Sequence, residues 1–248
     1  MYTYPPQQEL IRYINASGMK KHIFCTAALL LGATCASVAQ EQTESVSFGV
    51  RVGYNVSSLL YSGSTLHKND LSPKNGYHVG VVVDIKSSNK NFYFQPGLYF
   101  TKRGADYRCN AGIGYEYSLD LNYLQLPISV SYRPKVGKNV KLDINIAPYI
   151  AYGITGNMSG TEGDTRFSFN AFGKSTTNID DYTEVRGDLS RVDCGFRFGI
   201  GACVRRFYIG LQYELGIVNL AESGEGRIWA EDDRLLNGAF SLTLGYNF

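Results

Sequence analysis

The last nine residues, Phe240-Ser-Leu-Thr-Leu-Gly-Tyr-Asn-Phe248, place an apolar side chain at every second position: Phe240, Leu242, Leu244, Tyr246 and Phe248. Ser241, Thr243, Gly245 and Asn247 fill the positions between them. A period of two marks a strand with one apolar face. An aromatic residue at the end of that face suits a strand that crosses a bilayer, for which about nine to eleven tilted residues are enough.

The same alternation recurs seven times upstream. The segments are 46–56, 77–85, 92–101, 124–132, 140–152, 192–204 and 207–217. In the first, Val46, Phe48, Val50, Val52, Tyr54 and Val56 form one face, opposite Ser47, Gly49, Arg51, Gly53 and Asn55. In the fourth segment Leu119 and Leu121 have the parity opposite to Leu124 and Leu126. A bulge near Asn122-Tyr123 would bring them onto the apolar face. An even number of strands closes an antiparallel barrel with both termini on one side. The fold expected is therefore all-β, an eight-stranded antiparallel transmembrane up-and-down β-barrel. Connections 86–91, 133–139 and 205–206 are short, whereas 57–76, 104–118, 155–190 and 220–237 are long. Outer-membrane barrels show this alternation, with the short turns in the periplasm.

Composition points elsewhere at first. The chain is 44% hydrophobic with a formal net charge of +2, and no long apolar run follows residue 40. Barrel strands dilute their apolar residues with inward polar ones, so a weak average is expected. Near-neutral charge gives no reason to expect a nucleic acid partner.

The N-terminal region carries its own pattern. Met19-Lys-Lys-His22 is basic, 23–36 is apolar and small, and Ser37-Val38-Ala39 supplies a small-residue cleavage site. Residues 19–39 read as a signal peptide, 1–18 as an upstream extension from a misassigned start, and 40–248 as the barrel. The competing reading is a buried helix, against which the order of charge, core and cleavage site counts. The expected location is the outer membrane of a Gram-negative bacterium. Cys25 and Cys35 lack a lipoprotein pattern. Cys194 and Cys203 share a strand at opposite parity, about 30 Å apart, too far for a disulfide. With Cys109 they leave an odd number after the signal, and no Cys-x-x-Cys or His cluster suggests zinc. No metal or cofactor is expected.

Arg51, Asp84, Lys141, Asp143, Asp193, Arg197 and Glu214 all fall on the polar parity. On a lipid face such residues cost a few kcal/mol each near the midplane, so they are placed inside. Eight strands leave room only for side chains, and glycines of the same parity, such as Gly49, Gly80 and Gly97, make space for long ones. The ions are read as a mutually neutralising plug, with a proton or solute path as the alternative. Phe92, Phe207, Tyr246 and Phe248 near the turns, and Tyr54, Tyr77 and Tyr152 near the loops, suit two interfacial girdles.

Six segments resemble, in order, the small PorT-like outer-membrane barrels typical of Bacteroidetes. They are Phe48-Gly-Val-Arg-Val-Gly-Tyr-Asn-Val-Ser57, Phe94-Gln-Pro-Gly-Leu-Tyr-Phe-Thr-Lys-Arg-Gly104, Leu121-Asn-Tyr-Leu-Gln-Leu-Pro-Ile128, Ala147-Pro-Tyr149, Asp193-Cys-Gly-Phe196 and Leu211-Gln-Tyr-Glu-Leu-Gly216. The resemblance spans 46–248. It implies an eight-stranded barrel and, since one member type assists protein secretion, an accessory role in secretion as an alternative function. It carries over no catalytic residue. The terminal strand also resembles the C-terminal insertion signal of outer-membrane barrels, which makes the barrel assembly machinery a partner alongside membrane lipid and lipopolysaccharide.

Some small barrels modify lipids, so an enzyme is the other alternative. After the signal only His67 and His78 offer imidazole bases. His67 falls in a loop. His78 reads as a structural histidine near the outer rim, with no marked serine partner, so no activity is expected. The binding reading rests on the long loops, which are rich in carboxylates such as Asp188, Glu222 and Asp233 and can hold a protein partner. Arg166-Phe-Ser-Phe-Asn-Ala-Phe172 alternates and reads as a hairpin arm with an exposed edge.

Overall fold

The computed structural model describes residues 46–248 apart from 65–70, 89–90, 110–114, 163–164, 174–175, 178–182, 185–186 and 225–227. The upstream extension, the signal segment and His67 lie outside the described residues.

The strands are β1 (Val46–Ser62), β2 (Leu71–Lys86), β3 (Phe92–Cys109), β4 (Tyr115–Tyr132), β5 (Val140–Glu162), β6 (Thr165–Asn170), β7 (Thr176–Thr177), β8 (Thr183–Glu184), β9 (Val192–Val204), β10 (Phe207–Gly216) and β11 (Arg234–Asn247). Eight of them form a closed antiparallel ring in the order β1, β2, β3, β4, β5, β9, β10, β11. The ring closes between β1 and β11, from Gly49 opposite Asn247 to Ser62 opposite Arg234. β6 pairs with the upper part of β5, and β7 with β8.

Outward side chains are apolar and exposed: Val52 at 56% and Ile200 at 60% are typical. So large a contiguous apolar surface is foreign to soluble monomers and is stabilised by hydrocarbon. On β5 it runs from Leu142 to Tyr152. Those ten steps make about 33 Å along the strand, or about 25 Å of height at a tilt of about 40°, the thickness of an outer-membrane apolar band. Aromatic pairs bound the band. Phe92–Tyr132, Phe207–Tyr246 and Tyr246–Phe248 have ring centroids 5.2, 5.3 and 5.4 Å apart at the turn end. Tyr77–Phe100, at 6.2 Å, lies at the loop end.

Most ring strands run past their expected ends, always on the loop side. β1 continues to Ser62 rather than 56, β2 begins at Leu71 rather than 77, and β3 continues to Cys109 rather than 101. The long connections are correspondingly shorter than the sequence suggests. Above the girdle the outer face meets water instead of lipid, so outward alternation ceases while the backbone ladder persists. Outward residues there are ionic. Lys74 Nζ lies 2.9 Å from Asp120 and 3.6 Å from Asp106, and Lys102 Nζ lies 2.9 Å from Asp120. Such a cluster marks the edge of the hydrocarbon.

The expected bulge sits where the sequence places it but acts differently. The β4–β5 register shifts at Asn122/Tyr123, with Asn122 opposite Thr155 and Tyr123 opposite Gly153. The extra residue is Ile154 on β5, so β4 keeps one parity throughout. Leu119 (5% exposed) and Leu121 (0%) therefore turn inward instead of toward lipid.

Two outcomes follow. Ile146→Arg, on the lipid face at mid-height, should destabilise the barrel by about 2–4 kcal/mol, and Leu142→Arg at the interface by under about 1 kcal/mol. Urea titration in phospholipid vesicles reads both. At the upper rim, burial pushes the Asp120 carboxyl up, but Lys74 and Lys102 outweigh it and hold the group below its ordinary value. A depressed carboxylate stabilises above its unfolded pKa and loses that contribution as pH falls through its folded one. The gap in urea midpoint between wild type and Asp120→Asn should therefore shrink as pH falls below the ordinary carboxylate range, and a pH-independent gap would contradict the ion-pair account.

Candidate functional site

The inner face holds two ionic layers. The lower one joins Arg51, Arg133, Asp84 and Asp143. Arg133 Nη1 donates to Asp84 Oδ1 at 2.9 Å and its Nε to Asp143 Oδ2 at 2.8 Å. Arg51 Nη2 lies 4.0 Å from Asp84 Oδ2 and donates to Asn247 Oδ1 at 2.8 Å. Gln95 Nε2 donates to Asp84 at 2.7 Å, and Asn145 Nδ2 to Asp143 at 2.9 Å.

The upper layer joins Arg103, Arg197, Asp193 and Glu214. Glu214 accepts from Arg197 Nε at 2.6 Å, from Gln125 Nε2 at 3.2 Å and from Arg103 Nη2. Asp193 Oδ2 is 3.4 Å from Arg103 Nη1 and accepts from Asn237 Nδ2 at 2.9 Å and Tyr149 OH at 3.3 Å. Each layer holds two guanidinium groups and two carboxylates, so each is neutral. Aromatic faces add to the cation sites, with Arg197 4.8 Å over Tyr99, Arg51 4.8 Å over Tyr208 and Arg133 4.6 Å over Tyr93. Glycines give these groups room. A Cβ at Gly49 or Gly245 would strike the Arg51 guanidinium, and one at Gly80 or Gly97 the Tyr99 ring.

Six of the seven inward ions expected from sequence lie in these layers. Lys141 does not. It is half-buried at the turn-side mouth, where its Nζ donates to Tyr93 OH at 2.7 Å. Arg103 and Arg133 were not foreseen, because 103 lies past the expected end of its strand at 101 and 133 was assigned to a turn. Both nevertheless continue the polar parity of their strands, through Thr101 and Ser131.

Between the layers, His78 is buried mid-strand, well below the outer rim where the sequence places it. Its Nδ1 is 2.7 Å from Asn55 Oδ1 and its Nε2 3.1 Å from Thr243 Oγ1. The order hydroxyl–imidazole–amide has the form of an acyl-transfer triad. Thr243, however, is 0% exposed.

An apolar cap closes the loop-side end. Leu59, Tyr61, Leu119, Leu121 and Leu235 from the strands meet Phe172, Leu189, Leu220 and Trp229 from the connections in one buried cluster. The Phe172 ring fills the space above Gly153 and Gly156 and meets Tyr123 edge-on at 6.1 Å. Trp229 Nε1 donates to Gly187 O at 2.8 Å. Two of the loop carboxylates are structural. Buried Asp233 accepts from Tyr61 OH at 2.6 Å and from the Ala230 and Ser64 amides, and buried Asp188 accepts from the Ile228 amide at 3.1 Å.

Beyond the cap, β5 and β6 form the arm read from the Arg166–Phe172 alternation, with Asn157 opposite Asn170 and Thr161 opposite Arg166. Its inner face carries a run of rings: Tyr107–Tyr117 at 6.0 Å, Tyr117–Phe167 at 5.4 Å and Phe167–Phe169 at 5.8 Å. β6 has no strand on its far edge among the described residues. A pocket of about 710 Å³ beside it is lined by Tyr107, Arg108, Glu116, Tyr117, Arg166 and Phe167, among others.

A family model described as outer membrane protein beta-barrel domain matches residues 38–222. Among solved structures, the chain is similar to Ail, the attachment invasion locus protein of Yersinia pestis, at 16% identity and TM-score 0.39, covering 82% of this chain and 98% of that one. It is also similar to OprG from Pseudomonas aeruginosa, at 12% identity and TM-score 0.39 over 83% and 97% of the two chains. Neisserial surface protein A matches at 11% identity and TM-score 0.38 over 83% and 100%. No curated protein matches the chain.

Glu214 is the hub of the upper layer. Glu214→Gln leaves Arg103 and Arg197 buried without their shared carboxylate and should cost about 3–5 kcal/mol in vesicle unfolding experiments. Adding Arg103→Gln should cost less than the sum of the two single changes, because the partners are coupled.

Proposed function

The chain belongs to the outer membrane protein β-barrel domain family, and from that premise we propose a non-catalytic, surface-binding barrel whose lumen is closed. The observation that carries this reading is the division of labour along the barrel axis. The interior is committed to two neutral ionic layers and an apolar cap, while the arm, above the lipid band, carries a strand edge without a neighbour among the described residues and a run of half-buried rings beside it. A strand edge with alternating side-chain sites is the usual receptor for an extended peptide, through main-chain hydrogen bonds. A protein partner reaching the arm would add to Thr165–Asn170 and rest side chains on Phe167 and Phe169.

Absence of catalysis is supported by burial. The Thr243–His78–Asn55 chain sits between the ionic layers, with no room for an acyl group beside Thr243. An accessory role in secretion rests on the PorT-like resemblance of the strand motifs.

The test has two readouts. In planar bilayers the refolded protein should give no stable large-conductance steps. In intact cells a photocrosslinker at Ser168 should yield a discrete adduct that is lost with Phe167→Ala/Phe169→Ala, while one at Ser129, facing the lumen, yields none. Porin-like steps would overturn the closed lumen. Absence of adducts from every arm position would overturn the binding reading.

A further inference from the structure

The opposite mouth has a chemistry of its own. The three short turns contain Lys86, Lys90, Lys135, Lys138, Arg205 and Arg206 and no Asp or Glu. At this mouth lies a pocket of about 460 Å³, lined by Arg133, Lys135, Lys138, Lys141, Arg205 and Arg206 together with Asp84, Tyr93 and Asn139. The Asp84 carboxylate is already engaged by Arg133 and Arg51. Lys135, Lys138, Arg205 and Arg206 are exposed and, with Lys141, form no ion pair among the described residues.

Two further observations indicate a site rather than scattered solvated charge. Arg133 is almost fully buried, at 3% exposure, yet its Nη2 has no acceptor while its Nη1 and Nε are both used. Its guanidinium carbon lies 4.6 Å over the ring of Tyr93, whose hydroxyl accepts from Lys141. A buried guanidinium with an unused edge thus stands beside the Lys141 ammonium, the combination that suits an oxyanion with several acceptor oxygens. Arg205 is held at φ 56 in a two-residue turn, a left-handed position where Gly or Asn is usual. The turn keeps a cation there against the preference of the backbone.

We propose that the periplasmic mouth is an anion site that takes a phosphate-bearing ligand between Arg133, Lys141 and the cations of the 133–139 and 205–206 turns. Its source is either the headgroup of an anionic phospholipid in the adjacent leaflet or a soluble phosphate. The site is separate from the arm and does not depend on what the arm binds.

The experiment uses the refolded full barrel. Inorganic phosphate is titrated by calorimetry in zwitterionic detergent. Lipid retention is read by native mass spectrometry from nanodiscs holding phosphatidylglycerol and phosphatidylcholine in equal amounts. We expect saturable phosphate binding, or retention of phosphatidylglycerol over phosphatidylcholine by roughly tenfold, and loss of either in Lys135→Gln/Lys138→Gln/Arg205→Gln. Those three exposed residues touch neither ionic layer, and heat-modifiable migration checks that the variant folds. Phosphatidylglycerol retention without phosphate binding identifies the headgroup as the source, and phosphate binding without lipid preference identifies a soluble anion. Equal retention of both lipids with no saturable phosphate binding in the wild-type barrel overturns the proposal, as does a folded variant that binds like wild type.

Discussion

Closure of the backbone hydrogen-bond ring is the constraint from which the rest of this structure descends. Hydrocarbon offers no partner to an open strand edge, so β1 must find β11, and it does so over the full height from Gly49 to Ser62. Closing eight strands leaves a narrow interior, and the alternation that coats the outside with Val, Leu, Ile and Phe obliges the intervening residues to fill it. The polar residues inside are therefore not free choices, since each inward charge needs an opposite charge to answer it. Glu214 on β10 answers Arg103 on β3 and Arg197 on β9, and Arg133 after β4 answers Asp84 on β2 and Asp143 on β5.

Pairing four guanidinium groups with four carboxylates is not the cheapest way to fill such a space, because apolar side chains of similar volume often serve as well. Its physical effect is on specificity. Asp84, Asp193 and Glu214 are each reached by a donor from a non-adjacent strand, so a one-residue slip in a ladder would strand a charge in the interior. The aromatic rings under Arg51, Arg133 and Arg197 add a contact to each guanidinium, and glycines beside Arg51 and Tyr99 remove Cβ atoms that would collide. Within the lipid band, register is thus held from inside as well as by the backbone.

The ring and its inside–outside assignment were legible in the sequence because lipid and lumen impose opposite chemistries on alternate residues. Legibility ended where that contrast ended. Beyond Tyr54 and Tyr77 the outer face of the sheet meets water instead of lipid, and Lys74, Lys102, Asp106 and Asp120 there erase the pattern that would have announced six more residues of β1 and β2. Arg103 and Arg133 were missed for this reason, being polar residues just past the last clean apolar neighbour. Leu119 and Leu121 misled in the other direction. Apolar residues were assigned to lipid, whereas at this height the apolar environment is the cap inside. Phe172, Leu189, Leu220 and Trp229 had no periodicity to betray them, since they come from irregular segments and meet only in three dimensions.

The two ends of the barrel follow from how each chain reversal is made. On the periplasmic side the reversals are so short that they cannot fold over the lumen, and the lower ionic layer lies directly beneath the turns, with Arg133 at the boundary. On the far side the connections are long enough to fold inward, and they do so with hydrophobic residues that the strand extensions, standing clear of lipid, are able to bury. The cap shields the upper layer completely, leaving Leu121, Phe172 and Leu220 at 0% exposure. The lower layer has no such cover, and Lys141 leans out to Tyr93 at its edge. The turn-side pocket, lined by Arg133 and Asp84, is therefore the surface that the lower layer borders. That asymmetry separates the charge-bearing mouth from the ring-bearing arm by the whole thickness of the membrane.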